Sequence, residues 1–136
     1  MTLLWVILAT ALTLGLLFAL ITYSLFWLQR RAARQFEQKF QDANQLIQGG
    51  RPPAAWVQSE RAQVKKMRSQ GKNGAAQARI GARARQRCLR NLRALIHFLG
   101  DGRFYDSLET RELIVERLWG IHGQWLQEPW EYFIDG

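Results

Sequence analysis

Residues 3–28 read LLWVILATALTLGLLFALITYSLFWL and run straight into Gln29-Arg30-Arg31. No charged side chain occurs before Arg30. An α-helix of about 20 apolar residues already crosses a ~30 Å hydrocarbon layer, so the stretch predicts one membrane-spanning helix. A secretory signal is the competing reading. It is disfavoured because Met1-Thr2 offers no basic start, the apolar run exceeds the 7–15 residues of such signals, and no small-residue cleavage site closes it. The segment is therefore expected to stay as an anchor.

The flanks of this run set its orientation. Arg30, Arg31, Arg34 and Lys39 follow it and nothing basic precedes it, so the amino terminus is expected outside and the remainder in the cytoplasm or an equivalent organellar compartment. Trp5 near one end and Tyr23, Phe26 and Trp27 near the other match interfacial aromatic belts; 22 helical residues between the two tryptophans rise about 33 Å. Inside the run, Ala11, Gly15 and Ala19 recur every fourth residue, with Thr22 near the same line. This is a face on which another helix backbone can approach closely, although such residues are common in any spanning helix. No Asp, Glu, Lys, Arg or His interrupts the span, so an ion path or proton relay built from this helix alone is not expected.

Beyond the anchor the charge divides in two. Residues 30–93 hold 16 of the 19 Lys and Arg but only three acids, Glu37, Asp42 and Glu60; residues 94–136 hold three Arg against eight acids. The middle is thus near +13 and the end near −5. A basic region beside an anionic leaflet gains roughly 1 kcal/mol for each Lys or Arg held at the surface, which makes lipid headgroups the default partner. Nucleic acid is the alternative, since clustered cations neutralise phosphates without further apparatus. It is the weaker expectation, because no basic-aromatic strand, no Gly-x-x-Gly clamp in a fitting context and no zinc set accompanies the charge.

Periodicity organises the rest. Phe36, Phe40, Ala43 and Ile47 continue the first helix as an amphipathic stalk, which Gly49-Gly50-Arg51-Pro52-Pro53 must end. A helix from about Ala54 to Gln70 carries a thin apolar line of Trp56, Val57, Val64 and Met67, and residues 70–74 read as a loop. From Gln77 to Leu99, Ala84, Cys88, Leu89, Leu92, Leu95, Ile96 and Leu99 gather on one side. Arg79, Arg83, Arg87, Arg90 and Arg93 gather on the other, as a basic face for lipid or a partner. Gly100-Asp101-Gly102 ends this helix, and Asp106-x-x-Glu109 resembles a capping box opening the next. That helix places Leu108, Ile114, Val115, Leu118, Trp119, Ile121, Trp125 and Leu126 on its apolar side and Glu109, Glu112 and Glu116 in an acidic stripe, and Pro129 closes it.

The expected class is therefore all-α: a single N-terminal transmembrane helix continuing into a cytoplasmic stalk, then a small helical domain ending in an antiparallel helical hairpin. The divisions are 1–29 anchor, 30–48 stalk, 49–76 linker and basic helix, 77–128 hairpin, and 129–136 an acidic aromatic tail. In that tail Trp130, Tyr132, Phe133 and Ile134 either fold back or anchor in a partner's groove, where large aromatic side chains carry much of the binding energy.

Residues that carry chemistry are sparse. Cys88 and His97 lie nine positions apart on opposite sides of one helix, and one Cys with two His falls short of a structural zinc set, so no metal is expected. His97 and His122 fall at different levels of a hairpin, which disfavours paired haem ligation; His122 reads as a core residue and His97 as solvated. Cys88 alone forms no internal disulfide. The three glutamates lack apolar surroundings to raise a pKa, and no phosphate loop, nucleophile elbow or His-Glu-x-x-His occurs. The expectation is a non-catalytic accessory, assembly or scaffold subunit of a larger membrane protein complex, with no cofactor. A membrane-tethered binder of nucleic acid or another polyanion is the alternative.

Overall fold

The computed structural model describes residues 1–72, 74–102 and 105–135; Asn73 of the expected loop and Gly136 of the tail lie outside them. Among these residues there are five helices and no strand: α1 Thr2–Gly49, α2 Ala54–Ser69, α3 Gly74–Asp101, α4 Leu108–Gln127 and α5 Trp130–Asp135. They form two compact units, Met1–Gln38 and Lys39–Gly136.

The first unit is the apolar part of α1. It is long and apolar enough to cross a membrane. Its side chains from Leu3 to Leu28 are covered by nothing, which sets it apart from the core helix of a water-soluble domain. The hydroxyls inside it are satisfied by their own helix. Thr10 donates to the carbonyls of Val6 and Ile7, Thr13 to those of Ala9 and Thr10, Thr22 to those of Phe18 and Ala19, and Ser24 to that of Ile21, all at 2.8–3.0 Å. A helix that keeps its polar groups bonded internally meets the main demand of a hydrocarbon environment.

The second unit begins with the last turns of α1, where Ala43 and Leu46 are buried and Phe40 and Ile47 pack against them. Gly49-Gly50 ends the helix by a recognisable device. Gly50 takes φ +66° and its N–H bonds the Leu46 carbonyl at 2.8 Å, the left-handed cap that glycine adopts without steric cost. Pro52 and Pro53 are both buried in the short crossing to α2. Helix α2 ends in the related two-bond form. Gly71, at φ +64°, donates to Arg68 and Lys72 donates to Met67.

Helix α3 is the centre of this unit and packs against α2, α4 and α5. Its buried line, Ile80, Gly81, Ala84, Cys88, Leu92, Leu95, Ile96 and Leu99, follows the 3.6-residue period. Val57 and Val64 of α2, Leu118, Ile121 and Trp125 of α4, and Phe133 and Ile134 of α5 complete one core. The structure differs from the sequence reading in the tail, where Trp130–Asp135 form the helix α5, and in two features of α4. The cap of α4 is Ser107 rather than Asp106: Ser107 is extended (φ −130°, ψ 144°) and its hydroxyl accepts the Thr110 N–H at 3.1 Å, a geometry that needs the side chain immediately before the first helical residue. Leu108, Trp119 and Leu126, expected on the inner side of α4, are exposed, because the inward arc is narrower and is filled by Leu118, Ile121, His122 and Trp125.

Candidate interaction surfaces

The residues singled out by the sequence divide between exposed faces and the packed core. Ala11, Gly15, Ala19 and Thr22 are all exposed on α1, and a Cβ added to Gly15 would meet nothing within 4 Å. Of the arginines on α3, Arg79, Arg83, Arg90 and Arg93 are exposed, and none of the four forms an ion pair among the described residues. Arg87 differs: its Nη1 lies 2.8 Å from Oε1 of Glu60 on α2. Arg85 turns another way, its Nη2 donating to the Leu126 carbonyl at 2.5 Å, so a cation sits on the carboxyl end of α4 where the helix dipole favours it.

Glu60 is the group that sequence reasoning passed over. Its side chain is 4% exposed, Oε1 is held by Arg87, and Oε2 has no hydrogen-bond partner among the described residues. The signal was present, since Val57, Glu60 and Val64 fall on one face of α2 and a carboxylate buried on such a line needs a cationic partner. Cys88 lies in the same region; burial, and secondarily the Glu60 charge, push its thiol up to about 12. A thiol so raised is a packing group with little thiolate at neutral pH.

His122 is buried on α4, its ring 5.3 Å from Trp119 in an edge-on contact. Burial, then the positive charge of Arg93, lower its pKa, so the ring is neutral at pH 7. His97 is exposed. No three His, Cys, Asp or Glu side chains among the described residues come together as a metal-binding group would.

The aromatic end of the chain is occupied within the chain. Phe133 and Ile134 are buried, Trp130 covers Gly81, and the Tyr132 hydroxyl donates to the Gly50 carbonyl at 3.2 Å. Arg68 clamps Asp135 with two hydrogen bonds, at 2.7 and 3.2 Å, which hold that carboxyl below the usual carboxylate range. The exposed faces of α3 and α4 offer other molecules four arginines without an ion pair among the described residues, the stripe of Glu109, Glu112 and Glu116, and the apolar Leu108, Leu113, Trp119 and Leu126. An open cavity of about 550 Å³, lined by Gly100, Arg111, Glu112, Val115, Glu116 and Trp119, lies where α4 meets the end of α3. Charge and apolar area of this kind suit binding.

No protein-family model matches the chain, and no curated protein or solved structure is significantly similar to it.

Proposed function

We propose that this protein is a non-catalytic single-pass membrane subunit, an accessory, assembly or scaffold component of a larger membrane complex, whose helical domain binds its partner on the cytoplasmic side. The observation that carries the reading is the pairing of an uncharged, wholly uncovered apolar helix with a compact helical unit whose titratable groups serve packing and surface charge. Orientation rests on the arginines at 30, 31 and 34, which favour the cytoplasmic side. The antiparallel pairing of α3 with α4 is supported by Arg85 meeting Leu126 while Gly100 meets Val115. Because Phe133 and Ile134 are packed internally, the proposed partner contact falls on the outer faces of α3 and α4. Anionic headgroups beside Arg79 and Arg83 would hold the unit near the leaflet.

Arg79, Arg83, Arg90 and Arg93, which form no ion pair among the described residues, favour the second reading, a membrane-tethered binder of nucleic acid or another polyanion. Purification of the full-length chain from its native membrane in mild detergent, with protein and nucleic acid quantified at low and high salt, separates the two. A stoichiometric membrane-protein partner that survives high salt supports the subunit reading. Recovery of the chain alone, or with nucleic acid that salt removes, rejects it.

A further inference from the structure

The outer face of the α3–α4 pair is apolar at its middle and oppositely charged on its two helices. Trp119 is 42% exposed although it is among the largest side chains of the unit. On one side of it, α4 presents Glu112 and Glu116, which share an open cavity with Trp119, with Arg111 and with Gly100 of α3, two carboxylates against one half-buried cation. On the other, α3 presents Arg90 and Arg93, and Arg93 is close enough to influence the ring of His122, itself in contact with Trp119. The basic side belongs to one helix and the acidic side to its neighbour.

This division of charge discriminates among occupants. An anionic lipid surface would meet Arg90 and Arg93 favourably but be repelled by Glu112 and Glu116. A uniformly basic partner would have the reverse difficulty. A surface with a positive half and a negative half on either side of an apolar centre is complementary to itself under two-fold rotation, which lays each α3 against the other copy's α4 and makes every opposite-charge contact twice. Large aromatic residues at the centre of such a patch are the side chains that contribute most when water is excluded from them. We infer that the outer face of α3 and α4 is a homodimer interface, with Trp119 near the two-fold axis and Glu112 and Glu116 of each copy facing Arg90 and Arg93 of the other. It gives to a second copy of the chain the face that the subunit reading gives to its partner, and its test concerns the chain by itself.

The test uses the full-length protein expressed alone, in non-ionic detergent, with mass determined by light scattering across a concentration series. The wild type is expected to be dimeric at the upper concentrations. The reversals Glu112→Arg with Glu116→Arg, and separately Arg90→Glu with Arg93→Glu, each raise the dissociation constant at least tenfold. Mixing the two reversed proteins restores a dimer, since one then has two positive halves and the other two negative halves. Restoration on mixing rules out misfolding, and unchanged helicity of each variant is checked by circular dichroism. Trp119→Ala also weakens the dimer at least tenfold. A wild type that is monomeric at every concentration overturns the inference. So does a dimer indifferent to both reversals, which would place the contact elsewhere in the chain.

Discussion

The indole Nε1 of Trp125 donates to the carbonyl oxygen of Gly50 at 2.9 Å, joining residues 75 positions apart. The same oxygen accepts the Tyr132 hydroxyl, so the bend between α1 and α2 is tied to both α4 and the final helix through one atom. Trp125→Phe removes one donor and keeps most of the ring. Loss of that bond costs about 1–2 kcal/mol, partly offset because Tyr132 still satisfies the carbonyl, whereas Trp125→Ala costs about 3–5 kcal/mol through the cavity left in the core. Chemical denaturation of the two variants checks the order.

Gly50 supplies a second expectation at the same bend. A Cβ built on Gly50 has no neighbour within 4 Å, so Gly50→Ala makes no clash, yet its φ of +66° is a conformation in which a Cβ is strained by about 1–2 kcal/mol. Gly15→Ala, equally unobstructed but helical, serves as the contrasting variant and leaves thermal stability unchanged or slightly raised.

Trp130 rests directly on Gly81. A Cβ built there would overlap its ring, 2.9 Å from Cγ and nearer still to Cδ2 and Cε3. An indole cannot give way as a flexible chain end does, so Gly81→Ala displaces α5 and destabilises by about 1–3 kcal/mol. Combined with Trp130→Ala the same substitution is much less costly, and a double-mutant cycle with a coupling near zero would remove this explanation.

The ion pair between α2 and α3 is asymmetric, because Glu60 is enclosed while the Arg87 side chain is 42% exposed. Arg87→Met strands a buried carboxylate and is expected to cost about 2–3 kcal/mol, below the value for a fully enclosed pair because water reaches one partner. Glu60→Met leaves an arginine free to turn into solvent and is near neutral. Equal losses from the two substitutions would contradict this account.

His122 sets a pH dependence. Its pKa is lowered in the folded state, so the unfolded chain binds the extra proton more readily and stability rises with pH across that range. The contribution is fully present above the ordinary histidine value of about 6.5 and is lost as pH falls through that value toward the lowered one. Denaturation midpoints measured at pH 7.5 and 5.5 should fall on acidification, and His122→Phe should flatten the difference.

Much of the helical architecture was legible because its causes are local. An uncharged apolar run, paired glycines and prolines, and a 3.6-residue apolar line depend on neighbours in the chain, and α1, the bend at Gly50 and the inner face of α3 follow from them. The parts that stayed hidden depend on residues distant in sequence. Gly81 reads as a weak helix position until Trp130 is seen to rest on it, and Glu60 reads as a surface acid until Arg87 arrives from the next helix. Periodicity also overestimated how much of α4 turns inward. An angular count assigns Leu108, Trp119 and Leu126 to the apolar side, but only packing decides how wide an arc the neighbouring helices cover.

The double tie at Gly50 has a kinetic corollary. Helices α1 to α4 can each form from contacts near in sequence, but the core closes only when Trp125 and Tyr132 reach back over 75 and 82 residues. Chains that must search for such distant contacts fold more slowly than bundles assembled from adjacent helices. The meeting of the carboxyl end with the first bend is therefore the step expected to be slow, and Trp125→Phe is expected to alter the refolding rate measured by stopped-flow fluorescence. Until it occurs the core that holds Val57, Val64 and Leu118 is incomplete, and exposed apolar surface of that kind favours aggregation.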